Sequence, residues 1–296
     1  MKERMKREDL FVPEKRELTQ SKRILYTPSG FARESLIYLQ EVGTLTALTA
    51  HECKRRGLDS FLVFYVLDGN GKIGYNGVTY ELNPGDLVFV DCRRPYWHST
   101  DPEKLWKLSW IHFSGHSMEK IYQKYEERGG VPVWNDVDER AFRDLFDPLY
   151  RIADGDSSIR DMQINEQLSK LLTWLMEMAF RGTKDSDGHG KRDLSELREY
   201  LEAHFAEKIT LDDLSERFFI NKFYLTKIFR EQFGISVNHY VMQLRITKAK
   251  QMLRFTDEKA ETIGEMCGFG PLTYFSRAFR KSEGLSPTEY RKKWRG

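Results

Sequence analysis

The last third of the chain carries one pattern twice, with the copies fifty residues apart. Tyr224 recurs as Tyr274, and Gly234 recurs as Gly284. The same offset relates Lys227 to Arg277, Phe229 to Phe279, Arg230 to Arg280, Ser236 to Ser286 and Tyr240 to Tyr290. A repeat this dense indicates one supersecondary unit used twice. Because each copy is too small to bury a core alone, the two copies must share a scaffold.

The first copy is predicted to be a helix-turn-helix. Thr210 and Asp213 have the spacing of a capping box, which predicts a short helix over residues 211–218. Asn221 can cap a second helix, and Gly234 can end that helix in the left-handed conformation. A turn of two residues therefore joins the helices.

The second copy is predicted to follow the same plan. Residues 263–267 form its short helix and residues 268–270 form its turn. Pro271 is predicted at the first position of the second helix, where its missing N–H costs nothing because that group has no helical partner. A helix over residues 240–255 connects the two copies and carries their shared apolar stripe.

The second helix of each copy has a polar face on which small groups precede cations. This order suits a helix that enters the major groove of DNA by its N-terminal end, with the later cations meeting phosphates. The predicted base-reading residues are Lys222, Phe223, Thr226 and Lys227 in one groove segment, and Leu272, Thr273, Ser276 and Arg277 in the next. The predicted phosphate-binding residues are Arg230, Arg280 and Lys281. Arg277 is expected to make a bidentate contact with guanine.

These repeats resemble the signature of the AraC/XylS family of bacterial transcription regulators. The resemblance lies in Gly268-Phe269, the run 274–281, residues 284–287 and Tyr290-Arg291, and the first copy matches it over residues 224–230 and at Gly234. It implies two helix-turn-helix units that read two successive major-groove segments on one side of double-stranded DNA. It also implies a homodimer that activates a nearby promoter through contact with RNA polymerase.

The chain departs from the family pattern at three places. Phe219 stands where the family usually has glycine in the first turn, and Gly264 stands where it favours alanine. Pro271-Leu272 replaces a pair that is usually polar. The fold is expected to tolerate these changes, but they leave the base sequence of the operator unpredicted.

Composition separates the two ends of the chain. The length of 296 residues suffices for two domains, and the formal net charge is +2. From Lys191 onward there are 20 Lys and Arg residues against 15 Asp and Glu, whereas the remainder holds 27 against 30. A mildly basic C-terminal domain on a mildly acidic remainder fits a DNA reader attached to another kind of domain, although ordinary surface variation can give the same balance.

Targeting and redox signals are weak. The three cysteines lie far apart, without the spacing of a zinc site or a disulfide framework. Residues 1–17 are too charged for a signal peptide, and the longest apolar run, residues 171–180, is too short to span a membrane and contains Glu177. The protein is therefore expected to be cytoplasmic.

Changes of pattern along the chain predict five segments. They are an N-terminal arm (residues 1–23), a cupin-like ligand-sensing barrel (24–135), a helical dimerisation segment (136–181), a linker (182–192) and an AraC-type DNA-binding domain with two helix-turn-helix units (193–296). The arm has one apolar cluster, residues 10–13. It is either a frayed terminus or a segment that docks on the barrel.

Short β-prone runs and tight turns mark the N-terminal domain. Residues 61–67 are continuously apolar, which predicts a strand buried on both faces. Asn76-Gly77 predicts a two-residue hairpin, and short strands with regular turns favour an antiparallel barrel or sandwich. The order of turns resembles the cupin jelly roll that precedes the DNA reader in many AraC-like regulators. The whole chain is thus predicted to be a two-domain α+β protein with an all-α C-terminal domain.

A small-molecule pocket is predicted inside this barrel. Barrels of this size hold one ligand, and aromatic faces with a few polar edges suit a sugar or polyol. The alternative is that these aromatic residues are ordinary core. Trp110 and His112 alternate with Ile111 and Phe113, so each pair shares one face. The predicted ligand-binding residues are Tyr38, His51, Tyr96, Trp97, His98, Trp110 and His112.

No metal, cofactor or catalytic residue is predicted. Many cupins hold a metal on three histidines and a glutamate, but here His98 has no His-x-His pair on an earlier strand. His51 and Glu52 are adjacent on a predicted strand, so their side chains point to opposite faces and cannot chelate together. The protein is accordingly predicted not to be an enzyme.

Helical periodicity runs from about residue 138 to residue 181. Apolar residues recur at three- and four-residue spacing in two helices, separated by a break at residues 154–156. The favoured interpretation is a dimer seam formed by helices of two chains. The alternative is packing against the barrel within one chain.

Together these features predict a sequence-specific transcription regulator that responds to a small molecule, with a sugar or polyol as the expected effector. Two other classes remain open. The barrel could be an interaction surface for a protein partner, without a pocket, or the chain could be a cupin enzyme with an attached DNA-binding module. The presence or absence of a ligand-sized site near Trp110 and His98 distinguishes a small-molecule sensor from a domain that binds a protein partner. Bound metal in the purified protein would favour the enzyme.

Overall fold

The computed structural model describes residues 18–186 and 194–295. The described chain forms two compact units, one ending at Ser186 and the other in the C-terminal part. The predicted arm and linker lie mostly outside the described residues. Two of their predicted boundaries shift, because a strand already begins at Thr19 and the last helix of the first unit continues to Ser186.

The N-terminal unit contains two antiparallel sheets. Its strands are β1 (Thr19–Leu25), β2 (Tyr38–Ala47), β3 (Glu52–Arg55), β4 (Phe61–Asp68), β5 (Gly71–Tyr75), β6 (Val78–Leu82), β7 (Leu87–Asp91), β8 (Tyr96–Thr100), β9 (Lys107–Ser114) and β10 (Val133–Trp134). One sheet has the order β1-β2-β9-β4-β7-β10 and the other has the order β3-β8-β5-β6. The predicted antiparallel fold is confirmed, as a pair of sheets rather than one closed barrel.

Strand β4 lies at the centre of the six-stranded sheet and is buried on both faces, as its apolar run predicts. Val63 and Tyr65 pack on the helical side of the sheet, whereas Phe64 and Val66 face the four-stranded sheet. The predicted hairpin is also present. Asn76 and Gly77 both have positive φ, which matches the twist of the flanking strands β5 and β6.

The segment around Gly43 differs from the prediction of two short runs. It is one strand, β2, that continues through Gly43. A Cβ atom at this position would collide with the ring of Trp110 on the neighbouring strand β9. Glycine therefore stands inside the strand because a tryptophan ring occupies the space of a side chain.

Four helices complete the part of the N-terminal unit that the structure describes. They are α1 (Gly30–Ser35), α2 (Met118–Glu127), α3 (Glu139–Asp154) and α4 (Arg160–Ser186). The apolar stripe that favoured a dimer seam is buried in the core of one chain against the six-stranded sheet. Phe142 on α3, and Leu168 and Leu175 on α4, have at most a trace of exposed surface. The seam interpretation of this stripe is therefore wrong, since packing within the chain already covers it.

The C-terminal unit is entirely helical in its described residues. Its helices are α5 (Ser195–His204), α6 (Leu211–Phe218), α7 (Lys222–Phe233), α8 (Val237–Phe255), α9 (Ala260–Met266), α10 (Leu272–Glu283) and α11 (Pro287–Arg295). Helix α8 joins two separate cores. Val237 and Val241 near its start pack with α5–α7, whereas Ala249 and Leu253 near its end pack with α9–α11. The shared scaffold is thus one helix that supplies part of each core.

Two arginines fasten α8 to its neighbours through backbone carbonyls. Arg245 donates from Nε to the carbonyl of Phe205 and from Nη2 to the carbonyl of Glu207, both at 2.7 Å. Arg291 on α11 donates to the carbonyl of Leu253 at 3.2 Å. Because these guanidinium groups satisfy carbonyls at helix ends, they are part of the frame that holds the two helix-turn-helix units.

No helix within the described ranges combines the length and the apolar character that a membrane span requires.

Candidate nucleic-acid interface and ligand site

The first helix-turn-helix has the local structure that its sequence predicts. Thr210 and Asp213 form the reciprocal capping box at the start of α6. The side chain of Asn221 accepts from the N–H groups of residues 223 and 224, and Gly234 ends α7 with φ of 76°. Phe219 closes α6 in the left-handed conformation, with φ of 51°.

The second helix-turn-helix has a turn that is one residue longer. The caps Thr210 of α6 and Lys259 of α9 are 49 positions apart, whereas α7 and α10 are 50 apart. Gly268 takes the place of Phe219, and Gly270, with φ of 67°, is the additional residue. Pro271 consequently lies at the N-cap rather than at the predicted first helical position, and its carbonyl accepts from the N–H of Phe275.

The second helices of the two units, α7 and α10, expose equivalent positions. Leu225 and Phe229 of α7 are buried, as are Phe275 and Phe279 of α10. All eight predicted base-reading residues lie on the opposite faces. Lys222, Phe223, Lys227, Leu272, Thr273 and Arg277 are exposed, and Thr226 and Ser276 are half-buried. The unit thus presents two similar faces, with a half-buried hydroxyl residue, Thr226 or Ser276, next to an exposed cation, Lys227 or Arg277, on each. On α7 a further cation, Lys222, comes first, which the predicted order of small groups before cations does not match.

Two of these cations form ion pairs within the protein. Lys222 Nζ lies 2.9 Å from Asp212, and Lys227 Nζ lies 3.8 Å from Glu231. These are exposed pairs, which contribute little and can exchange for phosphate. Arg277 makes no ion pair with any described residue, so its guanidinium is available to a base edge.

Arg280 and Arg230, both predicted to bind phosphate, are not equivalent. Arg280 Nη2 lies 2.9 Å from Glu289, and Glu289 also accepts from the N–H of Ser286 at the start of α11. The hydrogen bonds from Ser286 and the nearby Arg280 lower the pKa of Glu289 to about 2. The first copy has His239 in place of Glu289. Arg280 is therefore partly neutralised, whereas Arg230 has no such carboxylate opposite it.

The N-terminal unit brings polar side chains together between its sheets. Cys53 of β3 lies directly opposite His98 of β8, and Arg55 lies opposite Tyr96. Because residues opposite each other share a face, all four side chains point to the same side of the four-stranded sheet. Tyr96 belongs to the core between the sheets, so this is the inner side.

Three buried polar atoms in this region make no hydrogen bond of ordinary geometry among the described residues: Tyr96 Oη, His98 Nδ1 and Trp106 Nε1. Tyr96 Oη lies near the thiol of Cys92, which is only a weak partner. The ring of His98 lies 6.3 Å from that of Tyr96 and 5.8 Å from that of Trp106, centroid to centroid. Tyr96 is 3% exposed and Trp106 is fully buried. Buried polar groups are nearly always paired, so these unpartnered atoms need an explanation. We call the set Cys53, Arg55, Tyr96, His98 and Trp106 the polar cluster.

His112 and Trp110 share this inner face, as the alternation along β9 predicts. Ser60 Oγ lies 2.8 Å from Nδ1 of His112, so this histidine is already partnered. Burial, with a smaller effect of the positive charge of Arg55, lowers the pKa of His98 to about 4 and that of His112 to about 3. Both imidazoles are therefore neutral at neutral pH.

Two predicted ligand residues, Trp97 and Tyr38, lie outside the cluster. Trp97 points to the opposite face of the four-stranded sheet, where its ring covers Gly74. Tyr38 lies near the other end of β2, with the guanidinium of Arg33 at 5.9 Å from its ring. His51 precedes β3 and lies nearer to the cluster, since its charge is one of the smaller influences on the pKa of His98. Its Nδ1 lies 3.0 Å from the carbonyl of Thr49.

Sequence reasoning missed Cys53, Arg55 and Trp106. The first two are found only through the pairing of β3 with β8, which joins segments that are more than forty residues apart. Nothing in the local sequence around Trp106 distinguishes a buried indole N–H without a partner from an ordinary core residue.

Two open grooves on this unit lie elsewhere. One, of about 580 Å³, is lined by the turns at residues 68–70, 83–84 and 104–105. The other, of about 440 Å³, lies between β1, β2 and α3. Neither groove is lined by a residue of the polar cluster. Within residues 18–186 and 194–295, no group of three His, Cys, Asp or Glu side chains could hold a metal ion.

The fold and these two sites define a DNA-binding protein with a separate ligand-binding domain, and comparison with known proteins agrees. The family model described as an AraC-like ligand binding domain matches residues 39–172, and that described as a helix-turn-helix domain matches residues 214–293. The chain belongs to the AraC/XylS family of transcription regulators.

The relatives support this assignment over most of the chain. The Msm operon regulatory protein of Streptococcus mutans is 23% identical over 235 residues, which is 79% of this chain and 84% of that protein. The arabinose operon regulatory protein of Escherichia coli is 24% identical over 240 residues, 79% of this chain and 81% of that protein. The transcriptional activator RhaS of Salmonella arizonae is 27% identical over 239 residues, 77% of this chain and 84% of that protein.

Proposed function

We propose that the protein activates transcription when a small polyhydroxylated effector, such as a sugar, binds between the sheets of its N-terminal unit. The observation that carries this proposal is the set of unpartnered atoms on Tyr96, His98 and Trp106. A hydroxyl, an imidazole nitrogen and an indole N–H offer both donors and acceptors to a ligand's hydroxyl groups. Aromatic rings beside them suit the flat apolar face of a sugar ring. The relatives include a regulator of an arabinose operon.

The C-terminal unit is proposed to read two successive major-groove segments. Lys222, Phe223, Thr226 and Lys227 of α7 read one segment, and Leu272, Thr273, Ser276 and Arg277 of α10 read the next. Arg230, Lys281 and, after release from Glu289, Arg280 bind phosphates. Two observations support this proposal. Equivalent positions of α7 and α10 are exposed, and α8 contributes to the core behind each of these helices.

Activation and dimer formation belong to the same proposal. One relative is named a transcriptional activator, which supports contact with RNA polymerase. A homodimer would bind two operator half-sites. Since the buried stripe of α4 is already covered, the proposed dimer uses other apolar side chains, such as Ile159 and Met162 at the start of α4, which are 59% and 49% exposed.

Ligand can shift the regulator only if it binds one arrangement of the protein on DNA more tightly than the other. The test is footprinting of genomic fragments with and without a panel of sugars. The proposal predicts protection that changes with one class of sugar, and that this change is lost in Tyr96→Phe and Trp106→Phe. Protection that no sugar changes would contradict the effector part while leaving DNA binding intact.

The dimer is tested by sedimentation of the full chain with and without Ile159→Glu and Met162→Glu. A shift from dimer to monomer in these variants supports the proposed contact. A wild-type chain that sediments as a monomer at micromolar concentration, with or without operator DNA, would contradict it.

A further inference from the structure

Arg55 stands on the same face as the unpartnered polar atoms. It is the last residue of β3, directly opposite Tyr96, and its neighbour on that face, Cys53, lies opposite His98. Its Nε donates to Sγ of Cys53 at 3.3 Å. A thiol is a weak acceptor, so this bond leaves most of the guanidinium's donor capacity unused.

Arg55 makes no ion pair with a carboxylate among the described residues. The charge of Glu41, which lies on the inner face, acts on Arg55 without an ion pair between them, and the Glu41 carboxylate lies 3.5 Å from Arg23. The field of Arg55 reaches inward, since its positive charge contributes to the lowered pKa of both His98 and His112. With both imidazoles neutral, Arg55 supplies the unmatched positive charge on this face.

An exposed arginine at the end of a strand is most often only solvated. Two features set Arg55 apart from that ordinary case. Its side chain points to the face that carries three buried unpartnered polar atoms, and no carboxylate of the described chain is in ion-pair distance. A guanidinium binds a carboxylate or phosphate through two parallel hydrogen bonds, which gives both charge and geometry.

We infer that the effector is a polyhydroxylated molecule with one acidic group, whose anionic oxygens bind Arg55 while its hydroxyls bind Tyr96, His98 and Trp106. This inference rests on the proposed effector site between the sheets and adds the chemical class of the effector. A carboxylate on a sugar ring and a phosphate on a sugar share this chemistry. A neutral sugar leaves the guanidinium without a charged partner.

The experiment is calorimetric titration of the full chain with matched sugars that differ in one acidic group. The pairs are glucuronate with glucose and galacturonate with galactose, and glucose 6-phosphate tests phosphate as the source of the charge. At least one acidic sugar is expected to bind about tenfold or more tightly than its neutral counterpart, because a charge-assisted pair replaces a neutral contact.

Variants at β3 decide whether Arg55 is responsible. Arg55→Gln is expected to abolish the preference for the acidic sugar, and Arg55→Lys to retain part of it, since lysine keeps the charge but loses the fork. Lys54→Gln is the matched control. Lys54 lies opposite Trp97, on the other face of the sheet, so its loss should leave the preference unchanged.

Each contrary outcome has a distinct meaning. If a neutral sugar binds as tightly as its acid, and Tyr96→Phe weakens it, the inference about charge is overturned while the effector site stands. If Arg55→Gln keeps the preference, Arg55 is not the anion's partner and the inference is equally overturned. If no acidic sugar binds, the inference fails, and footprinting with other effectors still tests the proposed function independently.

Discussion

Phe219 is the residue at which local geometry and sequence disagree most. It has φ of 51° in the turn between α6 and α7, a conformation that glycine adopts without strain and that a bulky side chain disfavours. Its side chain is 88% exposed. The equivalent position in the second turn is Gly268, where a Cβ would collide with the backbone of Ala206. The first turn has room for a side chain, but the backbone strain remains.

Replacing Phe219 by glycine should therefore stabilise the protein slightly. The relief of left-handed strain, about 1–2 kcal/mol, exceeds the entropic cost of glycine, about 0.5–1 kcal/mol. Urea unfolding followed by circular dichroism should show a higher midpoint. Phe223→Gly is the control, since it lies in helical conformation in α7 and should lower the midpoint. A lower midpoint for Phe219→Gly would mean that the ring's packing outweighs the strain.

Replacing Arg277 and replacing a proposed phosphate-binding arginine should both lower DNA affinity. The two losses should depend differently on base sequence and on salt concentration. Arg277→Ala is expected to cost roughly 1–3 kcal/mol on the operator and to relax specificity at one base pair. Arg230→Ala should weaken binding on all sequences and reduce the salt slope by about 0.9. Arg280→Ala should reduce the slope less, because Glu289 already neutralises part of its charge.

Operator affinity measured across salt concentrations checks this prediction. If Arg277→Ala weakens binding equally on every sequence, its assignment as a base reader is wrong. Glu289→Gln provides a complementary variant, since removing the carboxylate's charge should release Arg280 and steepen the salt slope.

At the scale of elements, the C-terminal unit was largely predictable and the polar cluster was not. The capping box of Thr210, the cap at Asn221 and the end at Gly234 depend on residues a few positions apart, so the local sequence determines them. The longer second turn, residues 268–270, was also predicted from the sequence. The N-cap position of Pro271 was not, because proline is equally at home at the first helical position. Similarly, the pairing of Cys53 with His98 depends on strand register, which local patterns do not specify.

The apolar stripe of α4 shows a different limit. Periodicity predicted the helix and its buried face correctly, but it does not say what covers that face. Leu168 and Leu175 would show the same spacing in a dimer seam or against a sheet of their own chain. In the structure, α3 and α4 pack on one face of the six-stranded sheet, and that sheet covers the stripe.

The N-terminal unit should lose stability in mild acid, because its buried histidines have lowered pKa values in the folded state. The folded pKa of His98, about 4, lies below its ordinary value of 6.5. The unfolded chain therefore binds protons more readily, so the contribution of His98 to stability is present above about pH 6.5 and is lost as the pH falls toward 4. His112 acts in the same direction.

Thermal unfolding of the full chain between about pH 7 and pH 4.5 measures this dependence. The melting temperature of the wild-type should fall more steeply than that of His98→Gln or His112→Gln. Parallel curves for all three proteins would show that these histidines do not titrate differently in the folded and unfolded states.

For the whole molecule, the central feature is the presentation of two equivalent helices by one frame. Helix α8 supplies part of both cores. Arg245 of α8 donates to the carbonyl of Phe205 at the end of α5, and Arg291 of α11 donates to the carbonyl of Leu253 in α8. A frame of this kind favours simultaneous binding of both helices to one DNA duplex. Under the proposed function, a ligand between the sheets of the N-terminal unit biases how these two helices engage DNA, by binding one arrangement more tightly than the other.

The most direct measurement is a base-by-base substitution scan of an operator with the wild-type protein, Lys227→Ala and Arg277→Ala. Two units that read successive segments predict that each variant loses specificity in its own segment, with the segments separated by about 10 base pairs. If both variants lose specificity at the same base pairs, or if neither changes the pattern, the two helices do not read neighbouring turns of one duplex.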